Sequence, residues 1–209
     1  MMVDGRLVRG RRSREAILET AVALASVDGL EGLTFGRLAV AAGVSKSGFF
    51  THWPDKEHLQ VDVIGRAARQ WVDLIVSPAL GEPAGVRRVW GLHEWRLRFY
   101  AEEVLPGGCF FHTAECDFDD RPGPVRDRLL EAKRSWMGLL VSVITAAAES
   151  GELTTDDPEL LAFEIDALGG AVVPHTRLLD REPALRRSRA AVLQRLKSLS
   201  PVPELLPEE

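Results

Sequence analysis

Cys109, His112 and Cys116 bring reactive groups together at spacings of three and four residues. On a helix, that spacing puts all three on one face. Thiolate and imidazole are zinc ligands, and His93 or Glu115 would be conceivable as a fourth. The run lacks the paired ligand spacing of finger types, so no metal is expected. Cys109 and His112 would also serve as nucleophile and base, but no third orienting group or oxyanion-hole signature accompanies them. Nothing basic flanks Cys109 to lower its pKa for redox sensing. No phosphate loop, dinucleotide fingerprint or metalloprotease helix occurs, so neither enzymatic activity nor a cofactor is expected.

A second set of residues suits nucleic acid. Lys46, Ser47, Gly48 and Thr51 are small or polar and able to reach base edges or phosphates. Ser and Thr specify bases weakly, whereas Lys reaches guanine. Gly48 allows close approach of backbone to DNA. Thr34 and Lys56 open helices, where free N–H groups and the helix dipole favour a phosphate. Arg37, one turn along, suits the same role, as does His52. For Thr34 a purely capping role stands as the alternative.

The elements that must position these side chains follow from the run 34–56. Phe35, Leu38, Ala39 and Ala42 recur at helical spacing. Gly43 ends that helix by taking a left-handed conformation. Val44 anchors the turn, and Ser45 caps a second short helix over about residues 46–52. Trp53 and Pro54 stop it, and Asp55 caps a third helix from Lys56. Helix, glycine turn and second helix make the helix-turn-helix plan, whose second helix enters the major groove. Upstream, Ile17, Ala21, Leu24 and Ala25 line one face of a helix over residues 13–28. Residues 1–14 hold five arginines against Asp4 alone, an arm suited to phosphates or simply to solubility.

Beyond Lys56 the pattern stays helical. Leu59, Val63, Ala67, Trp71 and Leu74 predict a long helix to about Ser77, followed by a loop through Pro78, Gly81, Pro83 and Gly85. Further helices are expected over about 86–104, 109–118, 125–150, from Pro158, and from Pro183. Leu161, Ile165, Leu168 and Val172 form a stripe that closes either the chain's own core or a contact with another copy. The fold class is therefore all-α, with about nine helices.

The joint occurrence of Thr34, Ala41, Ala42, Gly43, Val44, Ser45, the aromatics Phe49, Phe50 and Trp53, and Pro54, Asp55, Lys56 and Glu57 resembles the DNA-binding signature of TetR-type transcriptional repressors. The resemblance covers residues 13–60 well and the remainder loosely. It implies a DNA-binding domain over 1–56, a regulatory and dimerisation domain over 57–200, and a flexible tail over 201–209. It implies a homodimer on a near-palindromic operator, released by a small-molecule effector. The last two helices would pair with their copies, with Gly169, Gly170 and Ala171 allowing close approach. Phe49 stands where the family usually has Leu. Phe50 stands where it often has a phosphate-bonding Tyr, a bond Phe cannot make. The DNA-contacting set is thus Thr34, Arg37, Ser45, Lys46, Ser47, Gly48, Phe50, Thr51, His52 and Lys56.

An effector would find apolar lining with a few polar groups. The candidates are Trp71, Trp90, His93, Phe99, Cys109, His112 and Trp136, with Trp95, Phe110 and Phe111 as further aromatics; plain core is the alternative for each. The competing readings are a helical enzyme or an interaction module using Cys109 and His112. A net charge of −5 argues against a general nucleic-acid coat protein. Two cysteines imply no disulfide framework, and no apolar run suggests a signal peptide or membrane span, so a cytoplasmic protein is expected.

Overall fold

A computed structural model describes residues 5–44 and 49–208, with side chains from Arg12 onward. Among these residues the chain is helical and contains no strand. The helices are α1 (Gly5–Asp28), α2 (Phe35–Ala42), α3 (Lys56–Trp71), α4 (Ser77–Leu80), α5 (Val86–Ala101), α6 (Phe110–Phe118), α7 (Pro124–Glu149), α8 (Pro158–Leu178) and α9 (Arg181–Leu199). Of the expected helix over 46–52, residues 46–48 lie outside the described residues; Phe49 and Phe50 are helical, and Thr51 and His52 form a turn.

Three boundaries differ from the expected ones for local reasons. Helix α1 begins at Gly5 rather than residue 13. The basic arm is therefore helical from there on, because arginine is a good helix former. Helix α3 does not end in a loop near Pro78 but passes through a π-helical turn, Val72–Val76, into α4. The Ser77 N–H bonds Val72 O, five residues back, just before Pro78. Widening the helix there accommodates a residue with no N–H and a ring that crowds the preceding turn. Helix α9 starts at Arg181, so Pro183 lies in its first turn, where a missing N–H costs little.

The chain divides into two compact units, Met1–Arg69 with Leu105–Leu130, and Gln70–Val104 with Glu131–Glu209. In the first, Ile17, Leu18, Ala21, Val22 and Ala25 of α1 are buried, and α1 packs on α2 and α6. In the second, α5, α8 and α9 pack together. Their core includes Val89, Leu92, Ile144, Leu161, Ile165 and Val192. The stripe Leu161, Ile165 and Val172 is thus inside the unit's own core.

The C-terminal residues, expected as a flexible tail, are packed. Pro203–Leu205 forms a 3-10 turn, Leu206 is buried, and Lys197 Nζ donates to Glu208 O at 2.7 Å. Leucines at 205 and 206 give the tail apolar surface to bury, and three prolines lower the entropy lost on ordering it. Among the described residues no helix is long and apolar enough to cross a membrane.

Candidate nucleic-acid interface

Helix α2 is fixed at both ends by the residues the sequence assigns to its caps. Thr34 Oγ1 accepts the Arg37 N–H at 3.2 Å. Gly43 has φ 65° and ψ 32°, and its N–H bonds Val40 O at 3.3 Å while the Val44 N–H bonds Ala39 O at 3.0 Å. That pair of bonds is the Schellman motif, which turns the chain sharply toward the second helix. Downstream, the Asp55 carboxylate caps α3 by accepting the His58 N–H at 2.9 Å. This backbone bond, with the His58 ring beside it, holds Asp55 below its usual pKa. The same Asp55 contact raises His58.

The two neighbouring phenylalanines differ in exposure, although both rings meet Phe35, Phe50 with centroids 5.3 Å apart. Phe49 is fully buried, with ring centroids 5.8 Å from Phe35 and 5.9 Å from Trp53. Phe50 is 60% exposed. Trp53 is buried. Its Nε1–H donates to Asp62 Oδ2 at 2.6 Å, and Arg14 pairs with the same carboxylate while stacking over the indole. Phe49 and Trp53 are therefore locked to α1, α2 and α3. Thr51 is exposed and His52 half-buried against Trp53. Ser45, Lys46, Ser47 and Gly48 lie outside the described residues.

Arg37 and Lys56 are held by carboxylates that the sequence reading did not single out. Arg37 Nη2 is 2.6 Å from Asp28 Oδ2. Lys56 Nζ donates to the Glu31 carbonyl at 2.6 Å and lies 3.5 Å from its carboxylate. The available signal was Asp28 itself. An acid at the C-terminal end of a helix opposes the helix dipole and calls for a cationic partner.

The seven residues proposed for an effector are not gathered into one unit. Cys109 and His112 belong to the first, and Trp71, Trp90, His93, Phe99 and Trp136 to the second. Cys109, His112 and Cys116 also fail to share a helix face. Cys109 is extended, just before α6, and buried, whereas Cys116 is exposed. Gly108 and an extended Cys109 start the helix one residue too late for the spacing to apply. Phe110, adjoining Phe111 edge-on, is core. Among the described residues no three His, Cys, Asp or Glu side chains are grouped to hold a metal ion.

In the second unit, Trp71 meets Trp136 edge-on at 5.4 Å and Phe99 at 6.0 Å. At their centre is Arg96, which sequence reasoning missed although it lies one turn from both His93 and Phe99. It is 6% exposed. Its Nε donates to Tyr100 Oη at 2.8 Å and its Nη1 to Asp166 Oδ1 at 3.1 Å. Asp166 also takes Lys133 Nζ and Trp136 Nε1, each at 2.9 Å. Burial opposes the charge of Asp166, but Arg96, Lys133 and Trp136 hold its pKa below the usual carboxylate range. Gly169 faces Arg96: a Cβ there would come 2.6 Å from Nη1. Gly169 therefore makes room for a guanidinium within the unit, while Gly170 is half-buried and Ala171 exposed. Trp90 lies 6.0 Å from His93. Burial, with Arg96 and Arg189 nearby, pushes His93 down to about 3. Trp95 stacks under Arg98.

Residues 17–63 match the family described as bacterial regulatory proteins, tetR family, and residues 85–192 match the tetracyclin repressor-like C-terminal domain. The chain belongs to the TetR family. It is a DNA-binding transcriptional regulator, as the signature around Gly43 implies. The TetR regulator from Chloroflexus aurantiacus J-10-fl superposes with a TM-score of 0.84 at 21% identity, over 92% of this chain and 98% of that one. AibR, solved with isovaleryl coenzyme A and operator DNA, superposes at 0.65 with 20% identity, over 90% and 98%. The HTH-type transcriptional repressor BepR of Brucella suis biovar 1 (strain 1330) is 24% identical over 156 residues, 69% of this chain and 70% of that protein.

Proposed function

We propose that this TetR-family protein is a cytoplasmic, non-enzymatic repressor that binds a near-palindromic operator as a homodimer and is released by a small-molecule effector. The observation that carries the DNA reading is the split between Phe49 and Phe50. Phe49 is clamped in the core, whereas Phe50 and Thr51 are exposed. On this reading Ser45, Lys46, Ser47, Gly48, Phe50, Thr51 and His52 lie along the groove, and Thr34, Arg37 and Lys56 meet phosphates. BepR's designation as a repressor and the AibR complex with operator and acyl-coenzyme A support the same reading.

The dimer reading rests on a second stripe of α8. Leu160, Phe163, Ala167, Ala171 and Leu178 recur at helical spacing and are all exposed. They lie opposite the buried Leu161, Ile165 and Val172. A helix apolar on both sides is built to be covered on both. Phe163→Asp should therefore give a monomer in light scattering and abolish tight operator binding. A dimer that survives the substitution would contradict the stripe.

The effector reading centres on Trp71, Phe99 and Trp136 of the second unit, with Trp90 and His93 beside them. An effector shifts the protein between two states only by its differential affinity for them. Helix α3, which carries Lys56 at its start and Trp71 at its end, links the two functions covalently. Selection from random duplexes tests the whole proposal. It should enrich a palindrome whose half-sites lie about 10 base pairs, or a multiple, apart. Failure to enrich any sequence would reject operator recognition.

A further inference from the structure

The turn between α1 and α2 bonds both cations assigned to phosphates, and a distant part of the chain holds it. Gly29 has φ +80°, and a Cβ there would overlap the Asp117 carboxylate. The same carboxylate accepts the Glu31 N–H at 3.1 Å. Asp117 lies on α6, and the chain from Gly107 into α6 is docked along α1 at further points. The Gly107 N–H donates to Ser26 Oγ at 3.0 Å, and Thr113 Oγ1 donates to the Ser26 carbonyl at 3.1 Å. A Cβ on Gly107 would overlap that same carbonyl.

The turn in its turn holds the cations. Asp28, at its start, pairs with Arg37. The Leu30 carbonyl accepts Gln60 Nε2 at 3.0 Å, and the Glu31 carbonyl accepts Lys56 Nζ. A shift of residues 28–31 therefore moves the anchors of both Arg37 and Lys56.

We infer that Asp117, more than fifty residues beyond the helix-turn-helix, is a positioning residue for DNA binding. Its carboxylate fixes the turn at Gly29–Glu31 and thereby the placement of Arg37 and Lys56. The inference rests on the reading that these two cations face phosphates. It predicts an effect opposite to simple charge: losing an acid near a DNA-binding surface should otherwise strengthen binding.

Asp117→Asn and Asp117→Ala carry the same charge, and only Asn keeps an oxygen that can accept the Glu31 N–H. Full-length variants are titrated with the selected operator duplex, below the melting temperature measured for each. Asp117→Asn should bind within about twofold of the parent, and Asp117→Ala on the order of tenfold more weakly. Combined with Lys56→Ala, the Asp117→Ala loss should be smaller than the product of the single losses. Equal binding by the two Asp117 variants beside a weakened Lys56→Ala would overturn this inference alone, as would losses that simply multiply. Lys56→Ala binding like the parent would overturn the phosphate reading, and with it this route.

Discussion

Each compact unit contains ion pairs made from the same kinds of side chain, in opposite surroundings. In the first, Asp28 with Arg37 and Glu31 with Lys56 are between a third and a little over half exposed. In the second, the side chains of Arg96 and Asp166 are 8% and 14% exposed, and the guanidinium is ringed by Trp71, Tyr100 and Trp136. An exposed pair adds only ~0–1 kcal/mol and is screened by salt, so a phosphate can replace the carboxylate at little cost. A buried pair cannot exchange in this way, because either partner left alone is a stranded charge. Exposure thus separates charges available to a DNA backbone from charges that hold a core together.

The contrast fails if the two sets respond alike to truncation. Asp166→Ala leaves Arg96 without its carboxylate and should cost ~3–5 kcal/mol of stability. Asp28→Ala should change stability by less than ~1 kcal/mol. Urea melts of the two variants check this. Similar losses from both would erase the distinction.

Within the first unit the same logic separates two adjacent rings. Phe49→Ala should cost ~3–5 kcal/mol, as a buried Phe does. Phe50→Ala should leave the melting temperature nearly unchanged and weaken operator binding. Phe50→Tyr should tighten it, since a hydroxyl near a phosphate gains a hydrogen bond to a charged group worth ~1.5–3 kcal/mol, less where water already bridges. Equal melting losses at the two positions would place both rings in the core.

This separation was legible through the family resemblance, which sets an apolar residue at Phe49 and a phosphate-bonding Tyr at Phe50. The caps at Thr34, Gly43 and Asp55 were legible in the residues themselves: each is a local, backbone-scale device. The charge partners were not. Asp28, Glu31, Arg96, Asp117 and Asp166 act across separations that periodicity does not encode. Gly169 shows the limit well. Small residues on a helix signal close approach, but only the fold reveals that the neighbour is the Arg96 guanidinium. The same limit applies to Cys109, His112 and Cys116, whose spacing has meaning only if one helix contains all three.

A smaller effect sharpens the picture of the second unit. His93 titrates at about 3 when folded, against an ordinary value of 6.5. Its folded form binds fewer protons, so the stability tied to the neutral ring is present above pH 6.5. It is lost as pH falls toward 3, at a rate of at most ~1.4 kcal/mol per pH unit. His93→Gln, which cannot titrate, should flatten the stability profile in that window. An unchanged slope would mean that the ring takes up its proton while folded.

The central claim, that exposed cations of the first unit meet the DNA backbone, is tested most directly by the salt dependence of operator affinity. Log affinity plotted against log salt concentration should fall steeply for the parent. The slope should become shallower by ~0.9 for Lys56→Ala and again for Arg37→Ala. It should stay unchanged for Lys133→Ala, which lies in the second unit and pairs with the buried Asp166. A parent affinity indifferent to salt, or a slope that Lys56→Ala and Arg37→Ala leave intact, would contradict the account.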